Sequence, residues 1–510
     1  MRGKRGEQNK MNEKFSIINQ SDLTSEPEDI PAFYQDLNLV QIMDRISVKW
    51  GRNVRKFYRR PAIDSEEEEY RRAVYRDIKQ APVYDALISF TDNITNSHKL
   101  REEKEKATYP EQKAVWHIRE VVSYCEAYEK LETDLSGAEL SSDGMRELLE
   151  IVREVLGSEY RKLHLEASAL FKDIRELRFI LTYDKDRISI TLGTLPGEGT
   201  YEEMMKEKSG REIRHFHNPF IGEARLTELE YQCVEMIEKK NPQLFARIRA
   251  LSDAAKDYEK PVLVRFEEEV IFYLSFLTLQ KEMEEAGYVF TTPERAEDGV
   301  MSAEGLYDLA LAVVNLNTDK EVISNDFHFD KGERFFVLTG PNQGGKTTFA
   351  RSLGQLVYFT KMGVDVPAKS AKVPYFPDIQ SHFSVEESVE TGFGKLKEEL
   401  TRLSPMMNEN KRGTFVVINE LFTTAASYDA LIMGKRVLKH FVELGCMGIY
   451  VTHLKELADQ QDGVVSLRAL LDENRIQTFK IKRGEAEDTP VAENLVNKHH
   501  LTYSQLKERL

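Results

Sequence analysis

Apolar positions along the chain follow two different rhythms. Between about residue 85 and residue 287 they recur at three- and four-residue spacing. Val115, Ile118, Val122 and Cys125 form one stripe, Met145, Leu148, Val152 and Leu156 a second, and Leu170, Ile174, Leu177 and Leu181 a third. Polar residues fill the other positions, the pattern of long helices that each bury one face. The run is interrupted where residues 187–192 alternate apolar and polar as a strand does and 195–200 (LPGEGT) reads as a loop, so 183–225 is expected to be a small insertion. Helical spacing resumes at Leu226 and continues past a break at Pro261. From about residue 300 the rhythm changes. Short continuous apolar runs at 335–338, 414–418 and 447–451 alternate with helical stretches, predicting a mostly parallel sheet with helices on its faces. The expected fold class is multidomain, α followed by α/β: a polar tail at 1–30, a long-helix region at 31–299 joined through a linker at 291–293, and an α/β domain at 300–510.

Composition narrows this picture without redirecting it. A chain of 510 residues exceeds one ordinary core. The best apolar run, 270–279, is about half the length of a membrane span, and the charged N-terminus MRGKRGEQNK lacks the apolar stretch of a secretory signal. Cys125, Cys233 and Cys446 are scattered, which argues against a disulfide framework and fits a reducing, cytoplasmic setting. The net charge of −15 speaks against a surface coated for non-specific nucleic-acid binding, though not against a local basic groove. One basic stretch exists: Lys49, Arg52, Arg55, Lys56, Arg59 and Arg60 are interleaved with Trp50, Phe57 and Tyr58. It reads as a charged helix rim balanced by Glu66–Glu69; contact with a nucleic-acid backbone is the alternative. His215 and His217 have metal-ligand spacing but no third ligand nearby and read as ordinary residues.

The strongest chemistry lies where the 335–338 run ends. Gly340-Pro341-Asn342-Gln343-Gly344-Gly345-Lys346-Thr347 fits G-x-x-x-x-G-K-[ST], followed by Thr348 and a helical stretch to Phe359. Strand, glycine-rich turn and helix in that order is the context of a phosphate loop. Backbone N–H groups and the helix start supply positive potential, Lys346 reaches the β- and γ-phosphates, and the Thr347 hydroxyl ligates Mg²⁺. The implied ligands are ATP and Mg²⁺. Two later segments fit the same site. The 414–418 run leads into Asn419-Glu420, where an acidic pair normally holds a magnesium-bound water and polarises the attacking water. Asn419 supplies an oxygen but no charge, so weaker magnesium holding and slow hydrolysis are expected; Glu420 is the catalytic carboxylate. The 447–451 run ends in Thr452-His453, and a histidine at a strand tip can report on a γ-phosphate.

These segments together resemble the MutS family of mismatch-repair ATPases. The likeness rests on GPNQGGKTT with the trailing VPA at 366–368, on NELFTTAASYDA at 419–430 with Asp429, and on VTHLKELA at 451–458. More loosely, FLTLQKEMEEAGYVFTTPE resembles a connector helix and FYRRPAIDSEEEEYRRAVYRDI the start of a helical core. The resemblance covers most of 33–510. It implies a P-loop ABC-type α/β ATPase domain behind a helical core and lever region, homodimerisation through the ATPase domains, and helices that clamp DNA in repair or recombination. It carries phosphate, magnesium, catalytic and switch roles to Lys346, Thr347, Glu420 and His453. Residues 388–394 stand where the family has a signature acting across the dimer, with no clean counterpart for its serine. Asn419 replaces the usual aspartate, GLYDLAL at 305–311 replaces an Arg-His-Pro element, and no mismatch-reading wedge is found, so direct mismatch reading is not expected. The alternative is an ATP-gated dimeric switch that binds protein and turns over very slowly.

Overall fold

The computed structural model describes residues 15–18, 30–184, 187–193, 226, 228–316, 318, 320–384, 394–409, 411–457, 462–474 and 476–485. They form two compact units, neither continuous in sequence: residues 1–20 with 76–270, and 21–75 with 271–510. Both later divisions fall inside helices, Ser65–Ile78 and Pro261–Glu285. The sequence rhythm groups 31–75 and 271–299 with the helical region; packing groups them with the sheet. Thr291 and Thr292 are correspondingly more than a linker. Thr291 exchanges backbone hydrogen bonds with Val366, and the Thr292 hydroxyl donates to Asp365 at 2.6 Å.

The first unit is helical. Ala81–Lys106 and Pro110–Ser136 are its longest elements, followed by Asp143–Val155, Ser158–Glu176, Glu228–Lys240, Pro242–Ala254 and the first part of Pro261–Glu285. Pro110, Pro242 and Pro261 each occupy the first helical position, where the missing N–H costs nothing. The first two sequence stripes are buried, and so are Leu170 and Ile174 of the third, which ends early. The helix stops at Glu176, and Phe179–Asp184 (β1) pairs antiparallel with Arg187–Leu192 (β2). FILTY is rich in aromatic and β-branched residues, and a strand partner a few residues on outweighs one more helical turn. Residues 15–18, read from sequence as tail, are buried in this unit. The histidine pair at 215 and 217 and the loop at 195–200 lie outside the described residues, as do 388–393 and the chain beyond 485.

The second unit contains two sheets. Glu294–Arg295 (β3), Met301–Leu306 (β4), Asn325–Phe329 (β5) and Ser370–Val373 (β7) form a four-stranded sheet in the order β3-β7-β4-β5. The larger sheet contains Phe335–Thr339 (β6), Ile379–Phe383 (β8), Phe415–Asn419 (β9), Met447–Val451 (β10), Val464–Leu471 (β11) and Gln477–Arg483 (β12), in the order β12-β11-β6-β10-β9-β8. All its pairings are parallel except the edge hairpin β11-β12. Every residue of β6, β9 and β10 is buried, as expected for parallel strands covered on both faces. Phe335, Val337, Val416, Ile418 and Tyr450 pack with Leu438 and Phe441 of the helix Ser427–Glu443 on one face. The helix Lys346–Met362 is buried almost all round, and Leu37 approaches Gly354 so closely that a Cβ there would stand 2.5 Å from a leucine methyl. Among the described residues no helix is long and apolar enough to cross a membrane.

Candidate functional site

Three adjacent parallel strands end together. β6 opens into the loop 340–345, β9 ends at Asn419, and β10 ends at Val451 one residue before Thr452. Ligand sites of open parallel sheets lie outside such carboxyl ends, because the loops there converge while the strands hold them rigid. Gly340 and Gly345 adopt φ of 136° and 83°, and Gln343 takes φ 60°. Around Gly344 there is little room: a Cβ would meet the Pro341 carbonyl at 3.0 Å and Ala469 at 3.2 Å. Side chains are thus excluded from the inner curve of the loop, leaving backbone N–H groups to face what sits there.

Lys346 starts the helix and turns back over the loop, its ammonium donating to the carbonyls of Gly340 (2.8 Å) and Pro341 (2.9 Å). Burial lowers its pKa, and the nearby Glu420 carboxylate opposes that shift. Thr347 donates its hydroxyl to Asn419 Oδ1 at 3.0 Å, joining the loop to the tip of β9. An aspartate there would make the same bond and add a charge; the amide holds the hydroxyl while leaving the site less negative. Glu420 sits at φ 55° with its N–H on the Val451 carbonyl at 2.9 Å. That non-glycine strain is the kind retained where a side chain must be aimed. His453 Nε2 lies 3.3 Å from Glu420 Oε1. Of the residues singled out in the sequence, the structure brings Lys346, Thr347, Asn419, Glu420 and His453 to one place.

Beside the loop is a cavity of about 310 Å³, bounded by residues 342–349, Ser352 and Glu420 on one side and by Tyr307, Asp308, Leu311, Ile323, Asn325 and Phe479 on the other. Sequence reasoning misses this second wall. Phe479 lies in the edge strand β12, which carries extra residues relative to β11, and it takes φ 57° at that irregularity. Asn325 holds the turn, donating to the Phe479 carbonyl at 3.1 Å and accepting from Ile481 N at 2.8 Å. The ring lies against Gly345, where a Cβ would touch it at 3.4 Å. Asp308 caps the helix Leu309–Asn315 and accepts from Gln355 at 2.8 Å, fixing the opposite wall to the buried helix behind the loop. Only a bulge signal could have flagged Phe479, and none is visible in one strand read alone.

The basic stretch at 49–60 is largely structural. Phe57 and Tyr58 are core residues, Tyr58 donating to the Phe272 carbonyl at 3.1 Å, and Arg55 pairs with Asp44. Rings held this way cannot stack on bases.

Comparison with known proteins bears on the same region. A family model for MutS domain V matches residues 336–488, from inside β6 to just beyond β12. The chain is 24% identical over 184 residues to the DNA mismatch repair protein MutS of Fervidobacterium nodosum, covering 36% of this chain and 22% of that protein. It is 26% identical over 227 residues to the MutS of Thermotoga maritima (44% and 27%), and 26% identical over 183 residues to that of Rickettsia typhi (36% and 20%). The matches span about a quarter of the length of these curated relatives.

Proposed function

This chain is a divergent member of the MutS family, and from that premise we propose that its second unit is an ATP-binding, slowly ATP-hydrolysing domain of a DNA repair or recombination protein. The observation that carries the reading is the convergence of Lys346, Thr347, Asn419, Glu420 and His453 at three neighbouring strand ends. The residues fit a magnesium–triphosphate chemically: a loop whose inner curve admits no Cβ, a buried lysine, and two oxygens, Thr347 Oγ1 and Asn419 Oδ1, already side by side. Bound Mg²⁺ would neutralise charge on the β- and γ-phosphates. In this reading the backbone of 340–345 orients the phosphates, and Lys346 exchanges its carbonyl partners for phosphate oxygens. Phe479 and Tyr307 offer aromatic and apolar surface to the base. Glu420 is the proton acceptor that orients water, and His453, tied to it, is placed to sense whether that carboxylate is engaged.

Nucleotide-gated homodimerisation through this unit and DNA binding through the helical unit complete the proposal. The DNA half rests on similarity to proteins named for DNA mismatch repair, and the dimer on the family resemblance of the sequence motifs. The test is a titration with ATP and Mg²⁺ by calorimetry, joined to gel shifts with plain, mismatched and junction DNA at low salt, with and without nucleotide. Salt-dependent DNA binding that changes with ATP is expected. Failure to bind ATP removes the site assignment. ATP binding without affinity for any DNA form at low salt removes the DNA half and favours the second reading, an ATP-gated switch that binds protein. The net charge of −15 and the uncharged Asn419 motivate that alternative.

A further inference from the structure

Phe15, Ser16, Ile17 and Ile18 are 6%, 3%, 0% and 1% exposed. Four consecutive residues this deeply buried need a built receptor, and the first unit supplies one on the helix Pro261–Glu285. Glu269, itself 1% exposed, accepts the Ser16 hydroxyl at 2.8 Å on one carboxylate oxygen and the Ile17 N–H at 2.8 Å on the other. Ile18 N–H donates to Ser16 Oγ at 3.2 Å, closing a small turn over the carboxylate, and Arg265, one helical turn earlier, donates to the Phe15 carbonyl at 3.4 Å.

A carboxylate buried in a helix is costly unless donors reach it. Here those donors come from a segment about 250 residues away in sequence. Burial pushes the Glu269 carboxyl up to about 7 even with the Ser16 and Ile17 bonds in place. Without them the helix would carry an unanswered charge next to the apolar space that Phe15, Ile17 and Ile18 fill. The dependence is mutual, because the segment has no regular secondary structure of its own.

We infer that the Glu269 face is a peptide-binding site for a short, turned segment of the pattern aromatic–Ser–aliphatic–aliphatic, and that residues 15–18 are its resident ligand. Recognition is by two backbone-directed contacts, one hydroxyl and three apolar side chains, the chemistry of a short linear motif. Occupancy of the site sets the local stability of the helix over 262–270. The inference is independent of the nucleotide reading.

The test compares hydrogen exchange in the full chain and its Ile17→Asp variant. Amides of 262–270 should exchange at least about tenfold faster in the variant, while amides of β6 and β10 keep their rates. In parallel, a chain lacking residues 1–20 is titrated with a synthetic peptide of residues 12–20. It should bind the peptide one to one and slow the exchange of 262–270 again, and a peptide carrying Ile17→Asp should bind at least about tenfold more weakly. Unchanged exchange in the Ile17→Asp chain, or a folded shortened chain that ignores the peptide, overturns the inference. Should the shortened chain fail to fold, the full chain with Ser16→Ala decides: faster exchange confined to 262–270 supports the site, and no change rejects it.

Discussion

The helical unit keeps charge inside its core, whereas the sheet around the glycine loop keeps it at the strand ends. In the former, Glu120 is buried and accepts from Arg101, Lys104 (2.8 Å) and the Tyr258 hydroxyl (2.6 Å). Burial alone would raise its carboxyl, but the Lys104, Tyr258 and Arg101 bonds hold it below its ordinary value. Asp77 is buried too and accepts from the backbone and hydroxyl groups of both Ser141 and Ser142, at 2.6–2.9 Å. Tyr128 donates to the buried Glu267 at 2.7 Å. By contrast β6, β9 and β10 are apolar apart from Thr339 and Asn419 at the ends of β6 and β9, and Lys346, Glu420 and His453 follow beyond the three strand ends. Long helices joined by few backbone bonds need polar pairs to fix their register, and a hydrogen-bonded parallel sheet does not. Buried charge therefore marks architecture among these helices, while the charged side chains beside the glycine loop gather beyond the strand ends.

Substitutions can break that contrast, and the largest effect should come from Asp77→Ala. It removes the acceptor of five donors, the Ser141 and Ser142 groups and Gln80 Nε2, and should cost about 3 kcal/mol in urea unfolding of the helical unit, with ATP affinity unaltered. A loss below about 0.5 kcal/mol would mean that the buried carboxylate is not architectural. Lys346→Ala should weaken ATP binding by roughly 100-fold, the value of one or two charged hydrogen bonds, with little change in melting temperature. Calorimetry showing tight binding in this variant would detach chemistry from the loop. Asn419→Asp restores a charge beside Thr347 and should lower the Mg²⁺ concentration that half-saturates nucleotide binding by about threefold to tenfold; an unchanged Mg²⁺ response would place position 419 away from the metal's shell.

The smallest effect distinguishes the units by the sign of their pH response. Glu269 titrates at about 7 rather than 4.5 because burial favours its neutral form, so its stabilising protonation is complete below pH 4.5 and lost as pH rises through 7. His382, buried on β8, is pushed from 6.5 down to about 4 by burial, with the charge of Arg402 adding. Its contribution is present above pH 6.5 and lost as pH falls through 4. Glu269→Gln should remove about 1 kcal/mol of the decline in stability between pH 5 and 7, read from urea midpoints. His382→Gln should instead relieve the acid-side loss. Equal slopes in wild type and variants would refute the assignment.

Reading from sequence placed elements where one short stretch carries its own structure. The glycine loop, the 414–418 run into Asn419-Glu420 and the 447–451 run into His453 are local, and a buried parallel strand shows its nature in its own composition. The helical stripes were legible for the same reason. What escaped depends on partners distant along the chain. Phe479 is aimed by a bulge against β11, the strand at 179–184 exists because 187–192 is there to pair with it, and residues 15–18 are ordered by Glu269. The burial of Phe57 and Tyr58 is likewise settled by Phe272 and Ser275, more than two hundred residues on. The grouping of 31–75 with the sheet unit has no signature in periodicity, since helices that serve different cores share one rhythm.

The discontinuity of the sheet unit bears on how fragments of this protein behave. A gene fragment beginning near residue 300, where the rhythm changes, encodes every strand of the larger sheet but omits Leu37, which seats against Gly354, and Arg71, whose Cβ would lie 2.5 Å from a Cβ on Gly363. The product would display the bare flank of its central helix to water and is expected to collect in inclusion bodies. Splicing residues 30–75 and 271–299 back in front of it should return soluble material that elutes as a discrete peak.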